Sequence, residues 1–189
     1  MDPSLLDEIS RASDEVWTRL RIRRGGAFHS FVPSDLHAAH DALLEQRRHA
    51  ESCVELGSGA GAVTIVADLL GYDAVGIEIE PWLIESAEFL ADRFGSEARF
   101  VEGSFLPRGF RADRWIDGEF HVTYDDADSA WDGLDVDFDD FDVIYAFPWP
   151  EEGELFDALI REHARRDAVF LAYCAGDGVS ARRVAALEE

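Results

Sequence analysis

The stretch "CVELGSGAGAV", residues 53–63, decides how this chain folds. An apolar run ends at Gly57, and Gly57, Gly59 and Gly61 then alternate with small residues. Glycines at the tip of a strand let the backbone turn tightly without a Cβ clash. They also let a ligand press against the main chain where the next helix begins. The stretch therefore predicts a strand, a ligand-holding glycine corner and a helix.

Two carboxylates help to choose the ligand. The run from Gly57 to Ala62 fits the loose dinucleotide pattern Gly-x-Gly-x-x-Gly/Ala, which would hold a pyrophosphate. Glu55, at the strand end, would repel a pyrophosphate but would suit the cationic amino-acid part of S-adenosylmethionine (SAM). Glu78, at the tip of the next strand, can accept two hydrogen bonds from the ribose diol of either ligand. The residues favour SAM and leave an NAD(P)-dependent oxidoreductase as an alternative.

The hydrophobic pattern alternates between strands and helices. Two helices come first, over about residues 4–21 and, starting after Ser34 as the N-cap, over residues 35–49. Residues 52–56, 73–80, 97–103, 141–147 and 167–174 read as strands, and the segments 61–71, 81–94 and 151–166 read as helices. This order predicts an α/β fold with a Rossmann-like, doubly wound, mostly parallel sheet and helices on both faces.

We expect a single domain over residues 1–189, with an N-terminal helical lid in 1–50 and a SAM-binding core in 51–174. The core is interrupted by an acidic insertion at about 111–140. It contains "WIDGEFHVTY", which reads as a hairpin closed by Asp117-Gly118, and an Asp-rich stretch that either attracts a basic substrate or is only solvated. Residues 175–189 form a tail that could hold one more helix.

The charge of the chain limits its partners. Its 40 acidic residues outnumber 17 basic ones, all Arg, for a net charge of −23. Such a field makes a nucleic-acid partner unlikely and favours neutral or cationic partners, or serves solubility alone. No apolar run is long enough for membrane insertion, and the acidic N-terminus is not a secretory signal. With Cys53 and Cys174 read as buried thiols, we expect a cytoplasmic protein.

Three segments resemble the motifs of class I SAM-dependent methyltransferases. "VELGSGAGAV" is similar to their first motif, an acidic residue before Gly-x-Gly-x-Gly. "VGIEIEPWLIESA" is similar to the second, and its Glu78 matches the acidic residue that clasps the ribose. "ARFVEGSFL" resembles the third, usually Gly-Asp near the adenine, although Ser104 stands where the Asp is usual. The resemblance covers about residues 53–174.

The resemblance implies a SAM-dependent methyltransferase acting on a small molecule or a protein side chain. Alternatively, the chain is a non-catalytic SAM-binding or methyltransferase-like partner protein. Because little chain follows residue 174, we expect the family's usual strands 6 and 7 to be missing, unless the predicted hairpin supplies strands elsewhere. The implied cofactor-binding residues run from the methionine end to the adenine: Glu55, Gly57, Ser58, Gly59, Gly61, Glu78, Ile79, Gly103 and Ser104.

The end of the fourth core strand would face the reacting methyl group. Relatives that methylate exocyclic base nitrogens carry Asn/Asp-Pro-Pro-aromatic there, whereas this chain has Phe147-Pro148-Trp149-Pro150. The change removes their hydrogen-bond acceptor. Pro148 and Trp149 are our candidates for the substrate pocket, with Trp149 walling it or stacking on a cation. The alternative is a capped strand end in which Trp149 only packs.

A weaker resemblance concerns the small protein-lysine methyltransferases that act on the c-type proteolipid of ATP synthase. It rests on "FVPSDL", which we expect to begin a lid, and on "GIEIEPWL". Asp142 and Tyr145 match an Asp-x-x-Tyr pattern of some lysine methyltransferases, but Asp142 falls at the wrong end of its strand, so we interpret it as structural. We interpret His29, His37 and His40 as surface or lid histidines and predict no metal site.

Overall fold

The computed structural model describes residues 1–24, 33–115, 128–149 and 151–187. The predicted hairpin turn, His29 and Pro150 lie outside these residues. The helices are α1 (Pro3–Arg24), α2 (Leu36–Gln46), α3 (Ala62–Leu69), α4 (Pro81–Phe94) and α5 (Gly153–His163). The strands are β1 (Ser52–Leu56), β2 (Asp73–Glu78), β3 (Arg99–Glu102), β4 (Val143–Ala146), β5 (Val169–Cys174) and β6 (Gly178–Arg183).

The six strands form one sheet in the order β3-β2-β1-β4-β5-β6. The first five are parallel, and β6 runs antiparallel to β5. The chain moves outward from β1 to β3 on one side and from β4 to β5 on the other. The strand order therefore reverses between β1 and β4, and a cleft forms there at the carboxyl ends of the strands. The Rossmann-like, doubly wound α/β fold is confirmed.

The sheet is covered on both faces, and this explains why its strands are almost wholly apolar. Along β1, Cys53 packs on the side of α1 to α4, and the next residue, Val54, packs on the side of α5. α3 is short and buried along most of its length, and Ile65 and Val66 are fully buried. Both ends of the glycine corner are thus attached to the best-packed part of the molecule.

Two expectations at the helix and strand ends are wrong. The N-cap of α2 is Asp35, not Ser34, because its carboxylate accepts hydrogen bonds from the N–H groups of His37 (3.0 Å) and Ala38 (3.1 Å). The tail does not form a regular α-helix. It supplies β6, and a short 3-10 helix follows over Val184–Leu187. The expected loss of both additional strands is therefore incorrect for one of them.

The described part of the acidic insertion is anchored to the sheet. Short 3-10 helices cover Ala112–Arg114, Ala130–Gly133 and Phe138–Asp140. Trp131 donates from its indole N–H to the Phe105 carbonyl (2.7 Å), and its ring contacts Phe138 with centroids 4.8 Å apart. The aspartates thus surround a small aromatic cluster. Among the described residues, no helix is long and apolar enough to span a bilayer.

Candidate functional site

A cavity lies above the carboxyl ends of β1 and β4, where the strand order reverses. The glycine corner and the start of α3 form one side, and the loop after β4 forms another. α1 and the segment that enters α2 cover it. Such a cleft is the usual ligand site of an open α/β sheet. Its lining consists of Ser10, Ser13, Asp14, Trp17, Pro33, Ser34, Leu36, Glu55, Gly57, Ser58, Gly59, Ala60, Ala62, Val63, Phe147 and Trp149.

The three glycines of the corner all have positive φ, but they face different surroundings. A Cβ built on Gly57 would meet no atom within 4 Å. A Cβ on Gly59 would lie 2.7 Å from the Trp17 ring, and one on Gly61 would lie 2.6 Å from the Phe100 ring. Gly57 therefore leaves space for a ligand, whereas Gly61 allows α3 to pack closely and is not among the cavity-lining residues.

Glu55 is buried directly behind the corner, with 6% of its surface exposed. Its Oε2 accepts hydrogen bonds from the Thr64 N–H (2.9 Å) and hydroxyl (2.5 Å). Burial raises the pKa of Glu55 to about 8, the Thr64 hydrogen bonds oppose this rise, and the charge of Glu78 adds to it. A cationic ligand in the cavity would favour the ionised carboxylate.

Glu78 ties the tip of β2 to the corner. Its Oε2 accepts a hydrogen bond from the Gly59 N–H (2.8 Å), and its Oε1 accepts from Ile79 (2.9 Å) and Glu80 (3.0 Å). Burial raises the pKa of Glu78 although these three bonds oppose it. A carboxylate has about four acceptor positions, so about one remains free for a ligand such as a ribose hydroxyl. Ile79 contributes its backbone here and does not line the cavity.

The third-motif residues lie at the tip of β3, where the acidic insertion meets the sheet. A Cβ on Gly103 would lie 2.9 Å from the Ala130 nitrogen. Ser104 donates from its N–H to the Asp128 carbonyl (2.9 Å), and its hydroxyl accepts from the Leu106 N–H (3.2 Å). The Ser104 side chain thus stabilises a local turn. Neither Gly103 nor Ser104 lines the cavity.

The loop after β4 contributes two aromatic walls, Phe147 and Trp149. The Trp149 N–H donates to Glu152 Oε2 (3.3 Å), and the Glu152 N–H donates to the Trp149 carbonyl (2.9 Å). Glu152 is only 5% exposed, so this reciprocal pair fixes the turn that carries Trp149. The Phe147 ring packs edge-on against Tyr173 at 4.7 Å. Pro148 shapes the loop but is not a lining residue.

α1 contributes Ser10, Ser13, Asp14 and Trp17, none of which was predicted from the sequence to be a site residue. Their spacing is i, i+3, i+4, i+7, which places them on one face of the helix. Polar residues that interrupt an otherwise apolar stripe were the available signal. Apolar periodicity alone identifies Trp17 as an inward residue and does not separate a cavity wall from core.

The histidines of the lid region contact nearby acids. His37 Nε2 lies 2.9 Å from Asp7 Oδ1 of α1, and His40 Nδ1 lies 2.9 Å from Asp41 Oδ1. Within residues 1–24, 33–115, 128–149 and 151–187, no group of three or more His, Cys, Asp or Glu side chains could hold a metal ion.

Ser58 gives direct evidence that the cavity suits a polar ligand. It is 5% exposed, and its hydroxyl has no hydrogen-bond partner in the protein. A buried hydroxyl without a partner is costly, so a ligand or water has to satisfy it. The lining holds carboxylates and hydroxyls but no arginine or histidine among the described residues. It therefore fits a ligand with hydrogen-bond donors and positive charge better than one with phosphates.

Two kinds of curated relative match the chain, and no family model does. Ribosomal protein L11 methyltransferase from Thermus thermophilus is 37% identical over 93 residues, which are 48% of this chain and 37% of the relative. The human lysine N-methyltransferase that is named for the C-type component of ATP synthase is 35% identical over 65 residues, or 34% of this chain and 28% of the relative. The chain thus spans well under half the length of these two curated relatives.

Solved structures match over more of the chain. An RNA methyltransferase from Salinibacter ruber in complex with S-adenosyl-L-homocysteine (SAH) has a TM-score of 0.53 at 20% identity, covering 75% of this chain and 76% of its own. The O-methyltransferase TomG from Streptomyces achromogenes, in complex with SAM, has a TM-score of 0.54 at 16% identity, covering 91% and 66%. An O-methyltransferase from Bacillus cereus has a TM-score of 0.56 at 13% identity, covering 91% and 66%.

At these identities the likeness to the solved structures is one of fold. Together with the curated relatives, it confirms the resemblance to class I SAM-dependent methyltransferases. The weaker resemblance to small protein-lysine methyltransferases is confirmed over the 65 matched residues.

Proposed function

We propose that this chain is a SAM-dependent methyltransferase that transfers a methyl group to a small molecule or a protein side chain. The observation that carries the proposal is the pairing of buried Glu55 and Glu78 around a glycine corner, with Gly57 facing open space. The named activities of the relatives agree with it: two curated methyltransferases, and solved methyltransferases in complex with SAM or SAH.

We assign the cofactor to the side of the cavity formed by the corner. When bound, SAM supplies an electrophilic methyl group on a cationic sulfur. Glu55 offers a carboxylate to the positive methionine end, and the Ser58 hydroxyl is free to bond to it. Glu78 has room for about one ribose hydroxyl. Gly103 and Ser104 remain candidates for the adenine end through their place at the tip of β3.

The part played by the protein in methyl transfer is mainly to position and desolvate the acceptor. Trp17 and Trp149, which both line the cavity, shield the reacting atoms from water. Pro148 restricts the loop that carries Trp149. We assign no general base, because an acceptor that arrives as a neutral nucleophile needs none.

Calorimetry with SAM, SAH and NAD tests the cofactor. We expect micromolar affinity for SAM and SAH and no binding of NAD, because a carboxylate behind the corner repels a pyrophosphate. NAD binding without SAM binding would support the oxidoreductase instead. Binding of SAM without methyl transfer to any protein, amine or metabolite acceptor would support a non-catalytic partner protein.

Glu78→Ala tests the ribose contact. A lost hydrogen bond to a charged group costs about 1–3 kcal/mol, so we expect SAM affinity to fall by about tenfold or more. Glu102→Ala is the matched control, because Glu102 pairs with Glu78 in the sheet register and is exposed at the neighbouring strand end. Equal affinities of the two variants would refute the assignment of Glu78.

A further inference from the structure

We infer that the methyl acceptor is a cationic amine, and that it enters between the polar face of α1 and the loop after β4, where Asp14 holds its ammonium group. The inference rests on the proposed function and deepens it by naming the substrate class. It depends on the charge of the cavity, on its aromatic walls, and on which carboxylate remains available to the acceptor.

The charge of the lining selects against anions. Asp14 and Glu55 are its two charged side chains, and no described lining residue is basic. A carboxylate or phosphate acceptor would have to shed water beside these acids without gaining a cationic partner. The net charge of −23 acts in the same direction at longer range, because it raises the local concentration of cations and lowers that of anions.

The two carboxylates are placed for different partners. Glu55 is buried behind the glycine corner, and Thr64 already occupies one of its oxygens, so it serves the cofactor side. Asp14 is exposed at the mouth of the cavity, on the α1 face that looks into it. Ser10 and Ser13 lie on the same face and offer hydroxyl oxygens beside it. Asp14 is therefore the carboxylate that an incoming ammonium meets first.

The walls around this entrance also suit a cation. Trp17 from α1 and Trp149 from the loop after β4 both line the cavity. Indole rings attract ammonium groups through their faces, by about 0.5–2 kcal/mol depending on exposure. The loop is held rigid by the reciprocal hydrogen bonds between Trp149 and Glu152. The rings also provide an apolar surface for the methylene groups of an alkylamine.

The reaction balances for such an acceptor. The ammonium first gives one proton to solvent at the cavity mouth, which frees the nitrogen lone pair. This pair forms the new N–C bond to the methyl group as the C–S bond breaks, and sulfur keeps the electron pair of that bond. The products are a methylated ammonium, neutral SAH and one proton. Asp14 is a positioning residue for the ammonium and is not required to be the base.

The test uses the full chain saturated with SAH and three probes of equal length: n-butylammonium, n-butanol and butyrate. Binding is measured by ligand-observed NMR in about 1 M NaCl, where the Debye length is about 3 Å and the general field of the protein is screened. We expect n-butylammonium to bind about fivefold or more tightly than n-butanol, and butyrate to bind most weakly.

Asp14→Asn should remove about fivefold of the preference for n-butylammonium and leave SAH affinity unchanged. Glu15→Gln is the matched control, because it removes the same charge from the next residue, which lines the separate groove between α1 and α4. Equal binding of the three probes, or a preference that survives in Asp14→Asn, overturns the inference. Loss of SAH binding by the wild-type chain would instead refute the proposed function.

Discussion

Glu55 is the residue at which burial and function conflict most directly. The side chain is 6% exposed and its pKa rises to about 8, so an empty cavity favours the neutral acid at neutral pH. A cationic ligand reverses this preference. Glu55 thus stores part of the selectivity for a positive ligand as a cost of ionisation when the cavity contains none.

That cost predicts a pH-dependent effect of Glu55→Gln on stability. The unfolded pKa is near 4.5 and the folded value is about 8, so the folded state binds the extra proton between them. The stability that this proton provides is complete below pH 4.5 and is lost as the pH rises through 8. Compared with wild type, Glu55→Gln should gain about 3 kcal/mol on going from pH 5 to pH 8.5, measured by urea unfolding.

Glu102→Gln is the control for this experiment, because Glu102 is an exposed carboxylate at the end of β3. It should show no such gain. A pH profile of Glu55→Gln parallel to that of wild type would contradict the raised pKa of Glu55 and, with it, the conflict between burial and function at this residue.

The glycine corner predicts two separable losses. Gly57→Ala should cost about 1–3 kcal/mol through its positive φ and should also weaken SAM binding, because the new methyl group enters the cavity. Gly61→Ala adds a clash with the Phe100 ring and should destabilise the fold further. Thermal unfolding and calorimetry with SAM would measure both. The idea fails if Gly57→Ala binds SAM normally.

The site residues that sequence could identify are those in the strand-end motifs. Glu55, Gly57 and Glu78 are recognisable because a corner and two acids at strand ends have fixed spacing. Asp14 and Trp17 were not identified, because their role depends on how α1 packs across the sheet. That packing is a tertiary relation, and a single helix face does not reveal its partner.

At the scale of elements, Asp142 joins the starts of two central strands. It accepts hydrogen bonds from the N–H groups of Glu51 (2.6 Å) and Ser52 (3.0 Å), and it pairs with Arg165. Burial opposes its ionisation, but these bonds and the charge of Arg165 outweigh burial, so its pKa lies below the usual value. It lies before β4, at the end opposite the cavity, as expected of a structural residue.

Asp142→Ala should therefore destabilise the chain by about 3 kcal/mol at pH 7, because it leaves two backbone donors without their charged partner. The lowered pKa means that this contribution is complete above the unfolded pKa and is lost as the pH falls towards the folded value. The difference from wild type should shrink in acid. Asp139→Ala, a nearby exposed site, is the control, and an equal loss in both variants would contradict the role of Asp142.

The elements with clear periodicity were predictable, and the exceptions have physical causes. Parallel strands buried on both faces form continuous apolar runs, so β1, β2, β4 and β5 were found. β6 was missed because it is an edge strand that carries Arg182 and Arg183 in succession, which breaks the alternation of a half-buried strand. The N-cap of α2 moved by one residue because Ser34 and Asp35 are both good caps.

At the scale of the whole molecule, the net charge of −23 opposes compactness. Salt should relieve this repulsion, so we expect the Tm to rise between about 0.05 M and 1 M NaCl as the Debye length shortens. The same series near pH 4.4, the isoelectric point, is the control and should show little change. A Tm that is independent of salt at pH 7.5 would mean that the acidic surface carries no such penalty.

The central claim is that Glu55 and Glu78 hold a sulfonium nucleoside against the glycine corner. A crystal structure of the chain with SAH tests it most directly. The account predicts the ribose hydroxyl groups on Glu78, the homocysteine chain against Gly57, and the sulfur facing Trp149. A corner without the ligand at saturating SAH, or a ligand bound outside the cleft between β1 and β4, would contradict it.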